Sequence, residues 1–139
     1  MKTIALLCVL MGASLRAAPS PVFYKALHAV ETSSRHGAIP GDFVNGKPRA
    51  LGPLQIHRNY FLDSGVPGRY EQCASYEFSV RVVAAYLRKY APRDYARGDA
   101  ALDTLCRIHN GGPTGHKRSS TLRYAQRVRE AISRSPGAR

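Results

Sequence analysis

The sequence predicts an α+β domain that is mainly helical, with one small β-hairpin between the first helix and the rest. Three observations support this fold class. Several stretches carry apolar residues at the spacing of an amphipathic helix. One Asn45-Gly46 pair, the strongest short-range hairpin signal, lies in the first half of the chain. The 139 residues suffice for one domain with its own hydrophobic core.

The N-terminal residues have the pattern of a secretory signal. Lys2 supplies the positive start, residues 4–15 form an apolar run too short to span a bilayer, and the small residue Ala17 suits cleavage. We therefore expect residues 1–18 to be a signal peptide and residues 19–139 to be a single domain. No second apolar span follows, so we expect a secreted, extracellular protein (periplasmic in a Gram-negative bacterium) without stable membrane insertion.

The first half of this domain predicts one helix, a ribbon and a second, shorter helix. Residues 22–33 have helical apolar spacing. The Asn45-Gly46 pair then predicts a two-stranded antiparallel ribbon. Pro48 limits the pairing of its second strand, because proline has no N–H to donate. Residues 52–63 predict a short helix.

Three further helices are predicted in the second half. The longest covers residues 75–90, with Pro92 beyond its end. The next covers residues 99–109, opened by Asp99 and closed by glycines. The last begins at a Ser119 or Ser120 cap and directs four apolar residues to the core: Leu122, Ala125, Val128 and Ile132.

The chain is strongly basic, with 21 Lys and Arg against nine Asp and Glu and a formal net charge of +12. A surface of this charge attracts polyanions such as nucleic acids, anionic membranes or bacterial cell walls, and charge alone does not select among them. No basic helix interleaved with aromatic residues matches a nucleic-acid-binding motif. We therefore expect no nucleic-acid partner.

Two cysteines, Cys73 and Cys106, follow the expected signal peptide. An even pair in an exported protein predicts one disulfide, and two separately buried thiols are the alternative. The sequence has neither a CxxC motif nor histidines at HxxxH spacing. We therefore expect no metal site and no cofactor.

Two of the nine acidic residues are candidate catalytic groups. Glu31 falls at the C-terminal end of the first predicted helix, on the edge of its apolar face, where the helix dipole and partial desolvation favour a protonated carboxyl. Asp42 falls at the start of the ribbon, where we expect an exposed and ionised carboxylate. An ordinary surface glutamate and a turn aspartate are the alternatives. Two carboxyl groups in unlike environments are what glycoside hydrolysis uses.

Three blocks of the sequence resemble the signatures of invertebrate-type lysozymes, the destabilase family. They read "VETSS", "ALGPLQIHRNYFLDSG" and "RIHNGGPTGHKRSSTLRYAQRV", and the resemblance runs from about residue 24 to residue 132. It implies a lysozyme-like fold and a secreted muramidase that cleaves the β-1,4 bond between N-acetylmuramic acid and N-acetylglucosamine of peptidoglycan. Glu31 matches the family's general acid, and Asp42 matches its second catalytic carboxylate with a short indel between them.

The resemblance also implies a sugar-binding cleft. Gly111 and Gly112 would remove side chains where a sugar chain passes, with a plain helix C-terminus as the alternative. The basic loop at residues 115–120 would lie at the rim, where it could meet anionic wall polymers. The substrate-binding residues expected on this basis are Gln55, Tyr60, His109, Asn110, Gly111 and Tyr124.

The sequence departs from the family pattern in ways that leave other functions open. Members of the family usually contain many disulfides, whereas this chain offers one cysteine pair. In the family a tryptophan follows the tyrosine that Tyr124 matches, whereas this chain has no tryptophan. The blocks also resemble soluble lytic transglycosylases, which act on the same bond without a second carboxylate. The longer segment between Glu31 and Gly52, with room for an Asp-bearing hairpin, favours the lysozyme. A non-catalytic cationic protein that binds walls or membranes is the remaining alternative.

Overall fold

The computed structural model describes residues 18–136, in which six α-helices and a three-stranded antiparallel sheet are found. The predicted α+β, mainly helical class is confirmed. The expected signal peptide lies almost entirely outside the described residues. The elements in chain order are α1 Pro21–Thr32, β1 Pro40–Val44, β2 Lys47–Leu51, β3 Ile56–His57, α2 Arg58–Ser64, α3 Tyr76–Tyr90, α4 Pro92–Arg97, α5 Leu102–Gly111 and α6 Leu122–Ser133.

Helix α1 buries one face in the protein core and packs against α6. It begins at Pro21, whose missing N–H costs nothing in a first turn, and Phe23 and Leu27 are fully buried on its inner face. The helix ends because Ser33 adopts a left-handed conformation (φ 54°), and its N–H donates to the carbonyl of Ala29. This end of α1 carries Glu31.

The ribbon forms as predicted, and the sheet has a third strand that was not predicted. Asn45 (φ 50°) and Gly46 (φ 73°) both have the positive φ of a type I′ turn, which pairs β1 with β2. Residues 52–63, predicted as one helix, instead form a turn, β3 and α2. The helix prediction is wrong for the first part because Gln55 has φ 49° and the fully buried Ile56 pairs with β2.

Helix α3 matches its prediction, and α4 is an additional helix. The side chain of Ser75 accepts a hydrogen bond from the Phe78 N–H, which fixes the start of α3. Pro92 was expected beyond a helix end, and in the structure it also occupies the first turn of α4. The end of α3 and the start of α4 have the same cause, because proline cannot continue one helix but suits the first turn of the next.

The start of α6 differs from the prediction. Ser119 and Ser120 lie in a 3₁₀ turn and do not cap the helix. The Thr121 hydroxyl donates instead to the carbonyls of Gly115 and Arg118, which orders the loop before the helix. Leu122 was expected in the core, but it is 52% exposed. The inward face consists of Tyr124, Ala125 and Val128, with Ile132 partly buried.

The helix predicted over residues 99–109 begins three residues later than expected. Asp99 lies in a 3₁₀ turn over Gly98–Ala101, and α5 follows from Leu102. The Asp99 carboxylate accepts a hydrogen bond from the backbone N–H of Ser20, which fixes the chain just before α1. No helix among residues 18–136 is long and apolar enough to cross a membrane.

The predicted Cys73–Cys106 disulfide is absent, so that prediction is wrong for this structure. Both sulfurs are free and both residues are fully buried, which corresponds to the alternative of two separate thiols. Cys73 lies in the turn before α3, whereas Cys106 lies on α5 with its Sγ 3.3 Å from the carbonyl of Asp103. Burial raises the pKa of Cys73 to about 11 and that of Cys106 to about 12.

We expect Cys73 and Cys106 to resist thiol reagents in the folded protein. The thiolate is the reactive species, and burial disfavours it at both positions. Alkylation by iodoacetamide at pH 8, followed by peptide mass mapping, should modify these two residues only after unfolding in guanidinium. A native mass lower by two hydrogens, with a melting temperature that falls on adding reductant, would instead demonstrate a disulfide.

Candidate active site

A cleft of about 460 Å³ opens between the C-terminal end of α1, the sheet and the C-terminal end of α5. It brings together six of the eight residues predicted for the site. Tyr124 lies behind Glu31, and Gly111 is not among the lining residues. The cleft is lined by Glu31, Asp42, Ala50, Gln55, His57, Tyr60, His109 and Asn110.

The Glu31 carboxyl group is held from inside the protein. Its side chain is 18% exposed, and the Tyr124 hydroxyl donates to Oε1 over 2.6 Å. Nε2 of His109 lies 3.4 Å from the same oxygen. Burial, together with the negative charge of Glu31, keeps the pKa of Tyr124 far above its usual value, so the phenol retains its proton. Tyr124 therefore acts as a permanent donor to Glu31.

The backbone on either side of Glu31 is fixed by two hydrogen bonds to other parts of the chain. The Thr32 hydroxyl donates to the carbonyl of Pro53 over 3.0 Å, which ties the end of α1 to the turn before β3. The Arg127 guanidinium of α6 donates to the carbonyl of Val30 over 2.9 Å. A cation at this position also offsets the negative end of the helix dipole. Glu31 thus projects from a helix end that cannot fray freely.

His109 connects Glu31 to a pair of stacked tyrosines. Nδ1 of His109 lies 3.1 Å from the Tyr60 hydroxyl, and the Tyr60 ring stacks on Tyr86 with 3.6 Å between centroids. Burial raises the pKa of Tyr60 well above its usual value, so Tyr60 is the donor to Nδ1. We assign the imidazole proton to Nε2 from this network, which directs it at Glu31.

Asp42 reaches the cleft because its backbone departs from regular strand geometry. The register pairs Gly41 with Ala50 and Ala50 with His57, so these three positions share one face of the sheet. Side chains alternate along a strand, and a regular Asp42 would point to the other face. Its left-handed φ of 47° breaks the alternation, which places Oδ2 3.2 Å from Nε2 of His57. Aspartate is one of the few residues that adopt this conformation readily.

Gln55 shapes the cleft floor through the backbone that it holds. Its amide nitrogen donates to the carbonyls of Ile39 (3.1 Å) and Gly52 (2.9 Å). Its Oε1 occupies the space beside Gly41, where an added Cβ would lie only 1.6 Å away. A glycine before Asp42 is therefore required for Gln55 to hold the start of β1 against the turn.

The two glycines after Asn110 are explained by packing and by the helix end. A Cβ on Gly111 would lie 2.7 Å from the methyl group of Thr121, and neither residue lines the cleft. Gly112 has φ 80° and ends α5. This corresponds to the plain helix terminus considered as the alternative, and Gly111 is not among the residues that line the cleft. Asn110 does line the cleft.

Sequence reasoning missed His57 and Ala50. His57 was not predicted as a site residue because residues 52–63 were predicted to form a helix. A helix at this position gives no reason to expect the His57 side chain near Asp42. Ala50 is buried and small, so the side chains of His57 and Asp42 can meet beside it. Within residues 18–136, no group of three or more histidine, cysteine or acidic side chains is arranged to hold a metal ion.

The family model described as Destabilase matches residues 41–131, which is more than half of the chain. The chain belongs to the Destabilase family. It is 35% identical over 88 residues to a lysozyme of Ostrea edulis, in a match that covers 62% of this chain and 63% of that protein. The resemblance stated from the sequence is confirmed. The chain spans about three fifths of the length of the first relatives that it matches.

Solved structures agree with this family assignment. A chain in the crystal structure of Aeromonas hydrophila PliI in complex with Meretrix lusoria lysozyme aligns with a TM-score of 0.67 and 28% identity, covering 81% of this chain and 89% of that one. Tapes japonica lysozyme aligns with a TM-score of 0.64 and 27% identity, covering 88% of this chain and 98% of its own. The lysozyme-like fold of this Destabilase-family chain is thereby confirmed.

We expect Gly41→Ala to lower the free energy of unfolding by about 1–3 kcal/mol, because the new methyl group displaces Gln55 from two hydrogen bonds. Denaturant unfolding followed by circular dichroism measures this. The control is the double variant Gly41→Ala/Gln55→Ala compared with Gln55→Ala alone, where the clash is gone and the cost of Gly41→Ala should nearly vanish. An equal cost in both backgrounds would contradict this account of the cleft floor.

Proposed function

We propose that this Destabilase-family chain is a muramidase that hydrolyses the β-1,4 bond between N-acetylmuramic acid and N-acetylglucosamine of peptidoglycan. The observation that carries the proposal is one cleft bordered by two carboxyl groups in different surroundings. The Glu31 side chain is 18% exposed and held by buried donors, whereas that of Asp42 is 50% exposed on the sheet. The lysozymes that the chain resembles in sequence and fold support the same activity.

In this proposal Glu31 is the general acid. It protonates the glycosidic oxygen as the bond to the leaving sugar breaks. Proton loss leaves a negative charge on Glu31, and the hydrogen-bond donors Tyr124 and His109 are already aimed at its Oε1. Because these donors are in place before the reaction, little reorganisation is needed when the charge develops.

Asp42 acts on the other side of the sugar. Its exposed carboxylate either stabilises the oxocarbenium-like centre electrostatically or attacks it to form a glycosyl-enzyme intermediate. His57 fixes the direction of Asp42 through Oδ2. The left-handed backbone at Asp42 has the same effect, since it turns the side chain into the cleft.

The remaining features fit an exported protein that acts on cell walls. Asn110 borders the cleft, where its side-chain amide can donate to sugar hydroxyl and acetamido groups. The exposed Lys117 and Arg118, in the loop before α6, can approach anionic wall polymers. Residues 1–18 as a signal peptide would bring the protein to that substrate.

We expect Glu31→Gln to reduce peptidoglycan hydrolysis by about 10²–10⁴-fold, because it removes the general acid but keeps an oxygen that can accept from Tyr124. Clearing of a purified wall suspension measures the activity, and circular dichroism checks the fold. Glu77→Gln, at a fully exposed carboxylate, is the matched control and should stay active. Lysis that persists in Glu31→Gln and falls with salt would instead indicate a non-catalytic cationic protein.

We expect Asp42→Asn to lower kcat by about 10²-fold or more while binding to the wall changes little, because the charge beside the reacting sugar is lost. Asparagine tolerates the left-handed backbone, so this variant tests the charge rather than the conformation. Co-sedimentation with insoluble peptidoglycan gives binding, and release of reducing sugar gives the rate. Unchanged turnover would remove Asp42 from the mechanism.

A further inference from the structure

A second groove, of about 310 Å³, adjoins the candidate active site. His57 lines both the cleft and this groove, so the two meet at the His57–Asp42 pair. A substituent on a sugar bound in the cleft could therefore pass directly into the groove. It is lined by Pro48, Arg49, His57, Arg58, Asn59 and Tyr70.

The groove presents two guanidinium groups to solvent. Arg49 is exposed and forms no salt bridge with any acidic side chain in residues 18–136. Arg58 lies over the Tyr70 ring, 4.6 Å from its centroid, and its Nη2 is 3.7 Å from the Glu71 carboxylate. The ring holds Arg58 in place, while Glu71, with a side chain 70% exposed, screens only part of its charge. The groove thus keeps an excess of positive charge.

We infer that this groove binds the acidic stem peptide carried by N-acetylmuramic acid, with Arg49 and Arg58 pairing with its carboxylates. The inference rests on the proposed muramidase activity and extends it to the non-sugar part of the substrate. Arginine is suited to this task because its planar donors match a carboxylate in pairs. Asn59 and Tyr70 supply polar atoms for the peptide backbone.

The position and lining of the groove suit a peptide branch of the substrate. It shares His57 with the cleft, and its other lining residues come from β2, the start of α2 and Tyr70. The stem peptide branches from the glycan at the lactyl group of N-acetylmuramic acid, so a side groove is where it would lie. Arg49 precedes Ala50 on β2, and Ala50 lines the cleft, so the strand that borders the cleft also supplies a guanidinium to the groove.

The test compares Arg49→Gln/Arg58→Gln with the wild type on two soluble glycan-peptide substrates. In one substrate the peptide carboxylates are free, and in the other they are neutralised by amidation. We expect kcat/KM on the free-carboxylate substrate to fall by about 10-fold in the double variant, with a change below about 2-fold on the amidated one. Arg49→Lys/Arg58→Lys, which keeps the charges, should lose less.

The control is Lys25→Gln/Arg93→Gln, which removes two exposed positive charges outside both the cleft and the groove. Equal losses in the control and in the groove variant, or equal losses on the two substrates, would overturn the inference. Binding of a labelled free stem peptide, measured by fluorescence anisotropy, does not depend on catalysis. If the wild type binds this peptide and the groove variant does not, the inference about the groove is supported. If in addition the wild type cleaves neither substrate, only the proposed function fails.

Discussion

The hydrogen bond between Tyr124 and Glu31 is the contact on which the candidate active site depends. It joins the last helix to the end of the first one, 93 residues earlier in the chain, and it lies at the inner wall of the cleft. His109 on α5 meets the same oxygen, so three helices converge on one carboxyl group. A carboxyl at a fraying helix end would move with the chain, whereas this one is fixed by Tyr124 and His109, which are both buried.

The second carboxylate is positioned by backbone strain instead of burial. Aspartate tolerates a left-handed conformation better than most residues, but inside a strand it interrupts the pairing, and it persists only where the surroundings enforce it. Here Gly41, Gln55 and the Asn45-Gly46 turn enforce it from either side. The strained conformation is what turns Asp42 into the cleft and against His57. Glu31 and Asp42 thus reach one cleft by unrelated means, which explains their different exposure.

Much of this arrangement could be predicted from the sequence, and the failures have physical causes. The helix around Glu31, the Asn45-Gly46 turn and the cleft residues Gln55, Tyr60, His109 and Asn110 follow from local patterns and the family resemblance. His57 was missed because a positive φ at Gln55 cannot be predicted from a short apolar pattern, and it converts a predicted helix into a strand. An even number of cysteines does not indicate whether they lie close together in the folded core, so the disulfide prediction failed.

Mass analysis of the products released from purified peptidoglycan tests most directly whether the two carboxyl groups act together. A hydrolase that uses Glu31 and Asp42 adds water across the bond, and this account predicts muramic-acid ends that are reducing sugars. Products lighter by one water, with 1,6-anhydro ends, would contradict it. They would show that one acid suffices, as in lytic transglycosylases, and that the position of Asp42 beside His57 has another purpose.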